Sequence, residues 1–258
     1  MPFRVVIPAR YASLRLPGKP LRLLAGRPLI EHVYQRAVAS HASEVVIATD
    51  DPRIQAVAER FGATVYMTSP EHPSGTDRLA EVATRCGWPD DVIVVNLQGD
   101  EPQMPPILIR QAAAGLETHA EAGIATLCAR IDDPADLFDP NVVKVVRDAQ
   151  DYALYFSRAP IPWHREAFGR GETQRDTLPI GAAWFRHVGL YAYRVSVLTR
   201  YPRLTPAPAE QTESLEQLRA LWHGIRIHVA EAVEIPPPGV DTEADLTRVA
   251  AHVASSAQ

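Results

Sequence analysis

The first half of the chain alternates short apolar runs with longer stretches whose apolar residues recur three and four positions apart. Residues 3–7 and 44–48 are mainly apolar runs rich in valine and isoleucine, interrupted only by Arg4 and Glu44, and they predict buried strands. Residues 52–61 are amphipathic at helical spacing and are closed by Gly62. Residues 64–67 predict a short strand, and residues 75–86 a helix with Leu79, Val82 and Ala83 on one face. Residues 91–97 form the most apolar run and belong in the middle of a parallel sheet. Residues 105–118 predict a helix with proline in its first turn. Repeated strand–helix units of this length define an α/β class with a doubly wound, mostly parallel sheet.

The rhythm changes after Gly123. Residues 123–130, 142–147, 152–158 and 189–194 predict strands with little helix between them. We read residues 123–200 as an inserted mixed-strand subregion within one domain spanning 1–258. Residues 163–184 lack periodicity and predict a long loop. A strong helix is expected over 210–222, a strand over 225–229, a proline-rigid segment over 235–239 and a last helix from Thr242.

Charge adds a feature that periodicity does not show. The first acidic residue is Glu31, and Arg4, Arg10, Arg15, Lys19, Arg22 and Arg27 precede it in a chain of net charge −5. Arg10, Arg15 and Lys19 fall in the loop after the first strand, where α/β folds place phosphate-bearing ligands. Two familiar phosphate motifs are absent. Gly18-Lys19 is followed by Pro20, which has neither N–H nor hydroxyl, and no Gly-x-Gly-x-x-Gly follows the strand. On charge alone, a phosphate site and a solvated basic surface remain equally open.

Composition removes other classes. No run of 18 apolar residues is present, so no membrane helix is expected, and the start is not that of a signal peptide. Cys86 and Cys128 are expected as buried free thiols of a cytoplasmic protein. Nine histidines show no paired metal spacing, and the mild acidity argues against nucleic-acid binding.

Two loop carboxylates have both an ordinary and a metal-binding reading, and for Asp241 the residues alone favour the ordinary one. Asp100 ends the central strand within Gln98-Gly-Asp100-Glu101, where a carboxylate faces the ligand crevice and could hold Mg²⁺. Asp241 stands between the proline-rigid segment and the last helix, which also suits a helix cap.

Six motifs in one order carry a resemblance. They are Val6-Ile-Pro-Ala-Arg10 through Lys19-Pro20, His72-Pro-Ser-Gly-Thr-Asp-Arg78, Val95-Asn-Leu-Gln98-Gly-Asp100-Glu-Pro, Tyr155-Phe-Ser-Arg158, Arg186-His187-Val-Gly-Leu-Tyr191 and Pro238-Gly-Val-Asp241-Thr. Over residues 3–250 the chain resembles the 3-deoxy-manno-octulosonate (KDO) cytidylyltransferases. The resemblance implies transfer of CMP from CTP to KDO, with release of pyrophosphate, for lipopolysaccharide biosynthesis. It implies a triphosphate site of Arg10, Arg15 and Lys19, and a cytidine site with Ala9, Ser74 and Gly75. It implies Mg²⁺ on Asp100 and Asp241, with Arg10 and Lys19 as the catalytic cations. It assigns the sugar pocket to Arg78, Gln98, Arg158, His187, Tyr191, Glu210 and Gln211, and implies a homodimer through the inserted subregion. Two positions depart from the pattern: Ala192 replaces an expected glycine, and His164 an expected acid. A sialic-acid-type cytidylyltransferase and a non-catalytic nucleotide-binding protein are the rival readings. The Arg186-His187…Tyr191 and Gly-Val-Asp241-Thr motifs argue against the first, and intact Lys19, Asp100 and Asp241 argue against the second.

Overall fold

A computed structural model describes residues 2–12, 16–168 and 177–255, with side chains as far as His252. The first strand, β1 (Phe3–Ala9), is buried along almost its whole length, as a central strand must be. Its alternation sorts side chains between two cores: Val5 and Ile7 enter one cluster, Val6 the other. A small hairpin follows, of β2 (Leu23–Leu24) and β3 (Arg27–Pro28). Then come α1 (Leu29–Ala39), β4 (Glu44–Thr49), α2 (Pro52–Arg60), β5 (Thr64–Met67), α3 (Gly75–Arg85), β6 (Ile93–Asn96) and α4 (Pro106–Thr118). The second half holds β7 (Ile124–Arg130), α5 (Pro134–Phe138), β8 (Lys144–Arg147), β9 (Ala153–Ser157) and α6 (Arg165–Phe168). It closes with β10 (Phe185–Arg194), α7 (Val195–Arg200), α8 (Pro208–Glu213), α9 (Gln217–Trp222), β11 (Ile227–Glu231) and α10 (Glu243–Ser255).

The main sheet runs in the order β11-β7-β10-β6-β1-β4-β5. Strands β5, β4, β1 and β6 pair in parallel, as do β7 and β11. Strand β10 is antiparallel to both β6 and β7, so it alone is reversed among these described strands. Helices cover both faces. Residues of α1, α2, α4 and α10 fill one cluster, and residues of α3, α7 and α9 fill the other. This is the doubly wound α/β architecture expected. From β1 the chain builds outward to β4 and β5, then returns to β6 on the other side of β1. That reversal leaves a crevice above the carboxyl ends of β1 and β6.

Residues 123–200 divide between two places. Strands β7 and β10 lie inside the main sheet, while β8 and β9 step off it through pairing of β8 with β10.

Four local expectations need correction. The helix expected over 210–222 is two helices, because Ser214 takes a left-handed conformation (φ 52°) that turns the chain between them. The strand expected from 189 begins at Phe185: Gly189 sits at a register irregularity between Val188 and Tyr191, not at an end. Helix α1 was missed, although Leu29, Ile30, Val33 and Ala37 have helical spacing and are all buried. Cys128 is buried as expected, but Cys86 is only half-buried.

Candidate functional site

Three loop tips meet at the crevice. Gly99 follows β6, and a Cβ there would lie 2.8 Å from the Pro8 carbonyl oxygen, so only glycine lets the β6 loop approach β1 this closely. A Cβ on Gly239 would meet the Asp100 carbonyl at 3.1 Å, and the Val240 amide donates to that carbonyl at 2.9 Å. The segment carrying Asp241 is thereby fastened to the segment carrying Asp100. A short turn at Lys19–Leu21 delivers the third component. Lys19 Nζ donates to Asp100 Oδ2 at 2.9 Å and to Asp241 Oδ1 at 2.8 Å, with its side chain only 12% exposed. Burial would lower the Lys19 pKa, but the two carboxylates outweigh it and the net direction is up. Glu101 next door is pushed up to about 8 by burial and then by the charges of Asp100 and Asp241. The crevice is therefore strongly polar, with two carboxylates aimed at one cation position.

Ala9, Arg10, Lys19, Ser74, Gly75, Gln98 and Asp100 line one cleft of about 300 Å³. Arg10 reaches from β1 to the loop before α3, donating to the carbonyls of His72 and of Ser74. Ser74 caps α3, its Oγ accepting from the Asp77 amide at 3.3 Å. Gln98 Nε2 lies 3.3 Å from Asn96 Oδ1. Arg15 lies outside the described residues.

The residues expected at the sugar are dispersed. Glu210 and Gln211 line a second cleft of about 400 Å³, which shares Pro73 and Ser74 with the first. Glu210 is heavily engaged there: its carboxylate takes the Ala207 amide at 3.0 Å and Arg219 Nε at 2.9 Å. Burial would raise its pKa, but those partners bring the net direction down. Gln211 is exposed. Arg78 lines neither cleft. Its side chain is fully enclosed, bonded to Thr68 Oγ1 and paired with Asp50 at 2.8 Å, in place of the helix-face partners Asp77 or Glu81. Arg158 follows β9, and His187 and Tyr191 lie on β10 with ring centroids 5.1 Å apart. The row continues to Tyr193, 5.8 Å from Tyr191. Tyr193 hydrogen-bonds the Thr76 and Asn96 side chains, beside the first cleft. His187 shares a 2.9 Å hydrogen bond with Thr126 Oγ1, and desolvation pushes its pKa down to about 3, so it is neutral at pH 7.

One residue was missed. Glu216 lines the second cleft and receives a 3.0 Å hydrogen bond from Ser74 Oγ, the same hydroxyl that bonds Asp77. Burial raises its pKa, against the Ser74 and Thr76 hydrogen bonds. Its sequence signal was hidden, because a continuous helix gives no reason to single out one of several acids on it.

A cation cluster and paired carboxylates at the switch point of a doubly wound sheet define a nucleotide-binding α/β protein of phosphoryl-transfer type. The family model for cytidylyltransferases matches residues 4–227, and the chain belongs to that family. It is 59% identical over 249 residues to a 3-deoxy-manno-octulosonate cytidylyltransferase of Nitrosococcus oceani, covering 96% of this chain and 95% of the relative. It is 56% identical to a protein of the same name from Halorhodospira halophila, with 98% of each chain covered. Among solved structures, it matches a CMP:2-keto-3-deoxy-manno-octonic acid synthetase complexed with CTP, with a TM-score of 0.89 and 44% identity over 99% of this chain and 100% of that one.

Proposed function

We propose that this protein activates KDO with CTP, giving CMP-KDO and pyrophosphate. The observation that carries the reading is the meeting of Lys19, Asp100 and Asp241 at the mouth of a cleft whose other wall holds Arg10. Relatives named for this reaction, alike over nearly the whole chain, support the choice of substrates. The anomeric oxygen of the sugar attacks the α-phosphorus, and the bond to the β-phosphate breaks in line. Arg10 and Lys19 disperse the negative charge of the triphosphate and of the departing pyrophosphate.

Mg²⁺ fits the carboxylate pair. Asp100 and Asp241 are hard oxygen donors that already converge on one small cation, the Lys19 ammonium, within 2.9 Å. When bound there, Mg²⁺ neutralises phosphate charge and acidifies a hydroxyl. The protein's own part is to hold the two loops together through the Val240–Asp100 backbone bond. Around the sugar, neutral His187 offers a hydrogen bond, and Arg158 a positive charge for the KDO carboxylate.

The reading extends to a cytoplasmic homodimer. No helix among the described residues is long and apolar enough to cross a membrane. Strand β9 pairs only with β8 among the described strands, and it exposes Leu154 and Tyr155, as an interface strand would. The deciding measurement of function is pyrophosphate release. It is expected with CTP, Mg²⁺ and KDO together. Release with sialic acid in place of KDO, or none at all, would overturn the proposal.

A further inference from the structure

Glu213 is the last residue of α8, next to the left-handed Ser214. Its carboxylate is crowded with donors from the end of β9. Ser157 Oγ lies at 3.0 and 2.9 Å from its two oxygens, the Arg158 amide at 2.6 Å and Tyr155 Oη at 3.1 Å. Its backbone carbonyl takes Arg158 Nε at 2.7 Å. Arg158 Nη1 is held by the Pro140 carbonyl at 2.8 Å. That turn is pinned in turn by the buried Lys144, whose Nζ donates to the Asp139 carbonyl at 2.9 Å. The Glu213 carboxylate thus holds the Arg158 amide, and the guanidinium is held between two backbone carbonyls, those of Glu213 and Pro140. Nη2 is left with no protein acceptor among the described residues.

Strand β9 and the α8–α9 helix pair are far apart in sequence. Glu213 joins them at the point where the helix breaks, and the residues after the break include Glu216 of the second cleft. An acid is the residue type that can accept from three different donors at once. We propose that Glu213 is a positioning residue for the acidic sugar. It sets the Arg158 guanidinium and ties the α8–α9 break to β9, so that both walls of the sugar pocket are held in one geometry. This rests on the reading that Arg158 meets the sugar carboxylate.

The test is steady-state kinetics on Glu213→Gln, Arg158→Ala and the double variant, each substrate titrated with the other saturating. Glutamine keeps the shape but has one acceptor oxygen in place of two, so the Arg158 amide and the Ser157 and Tyr155 hydroxyls can no longer all donate to it. Glu213→Gln is expected to raise the KM for KDO by about tenfold while kcat and the KM for CTP stay within about twofold. In the Arg158→Ala background it is expected to add little, because its effect runs through Arg158. A purely structural role would lower kcat and affect both substrates. Ser157→Ala, which removes one donor, should give a smaller change of the same kind and carries the test if Glu213→Gln does not fold. A normal KM for KDO in Glu213→Gln, with a raised one in Arg158→Ala, would overturn the proposal and leave the Arg158 reading intact. Full additivity in the double variant would overturn it as well. A normal KM for KDO in Arg158→Ala would instead overturn the reading beneath it.

Discussion

Asp100 and Asp241 each have an ordinary use in isolation, as a turn acid and as a helix cap. The last helix needs neither: its first turn is closed by Asp245, whose carboxylate accepts from the Asp241 and Thr242 amides at 3.2 and 3.0 Å. Asp241 is left to face Lys19, which removes the bland explanation. Asp100→Asn should keep the fold and lose most turnover, a cost of several kcal/mol, on the order of a Lewis-acid contribution. Activity measured across a Mg²⁺ titration checks this, and near-normal turnover at saturating metal would sink it. Lys19 belongs to the triphosphate in the same reading. Lys19→Ala should weaken use of CTP by at least about tenfold and use of KDO far less, read as the two Michaelis constants. An unchanged constant for CTP would count against the assignment. The residues alone singled out the basic loop and Asp100, while Asp241 was raised above a helix cap only by the resemblance, because its partners Lys19 and Asp100 lie far away in sequence. Glu216 and the enclosure of Arg78 were not legible, since both depend on which face of a helix meets which strand tip.

At the scale of elements, the close approach of β1 and β6 makes the cleft. Gly99→Ala would drive a methyl into the Pro8 carbonyl, a backbone atom that cannot rotate away. The expected cost is about 1–3 kcal/mol, as for overpacking a filled site, together with weaker CTP binding. Denaturant titration and nucleotide titration of the variant measure the two effects. An alanine form with wild-type stability and affinity would show that the tips need not touch. Most elements of the first half were readable because period and burial agree there: residues 64–67 were expected as a strand and form β5. The helix pair after 207 was not, because Leu215, Leu218 and Ala220 enter one core and keep an apolar rhythm across the break. Periodicity reports the buried face, and Ser214 changes direction without changing that face. The same limit hid the true start of β10, where pairing with β7 and β8 extends the strand past a glycine.

The molecule as a whole carries a pH dependence seated far from the catalytic tips. Strand β11 closes one edge of the sheet, and its His228 is buried beneath α4, stacked on His119 with centroids 3.6 Å apart and with the Tyr152 ring at 5.9 Å. His228 Nδ1 has no hydrogen-bond partner. Burial first, then the neighbouring His119, pushes its pKa down to about 4, with Arg147 adding to the effect and Asp151 opposing it. An unfolded histidine titrates near 6.5. The folded state therefore refuses a proton that the unfolded state accepts. This contribution is fully present above about pH 6.5 and is lost as pH falls from there toward 4, by at most about 3 kcal/mol. His187, held lower still, acts in the same direction. Over that window the two histidines pull the unfolding free energy down, while Glu101 and Glu216, whose carboxyls are raised by burial, push it up as they take on protons. The contribution of His228 is therefore read from urea titrations as a difference between wild type and a variant. His228→Leu removes the titrating group and keeps an apolar filling against Tyr152. Its stability at neutral pH can shift either way, but the slope of its stability against pH between 6.5 and 4.5 should be lower than in wild type by up to one proton's worth. Parallel curves for the two proteins would show that the stacked histidines take no part in acid lability.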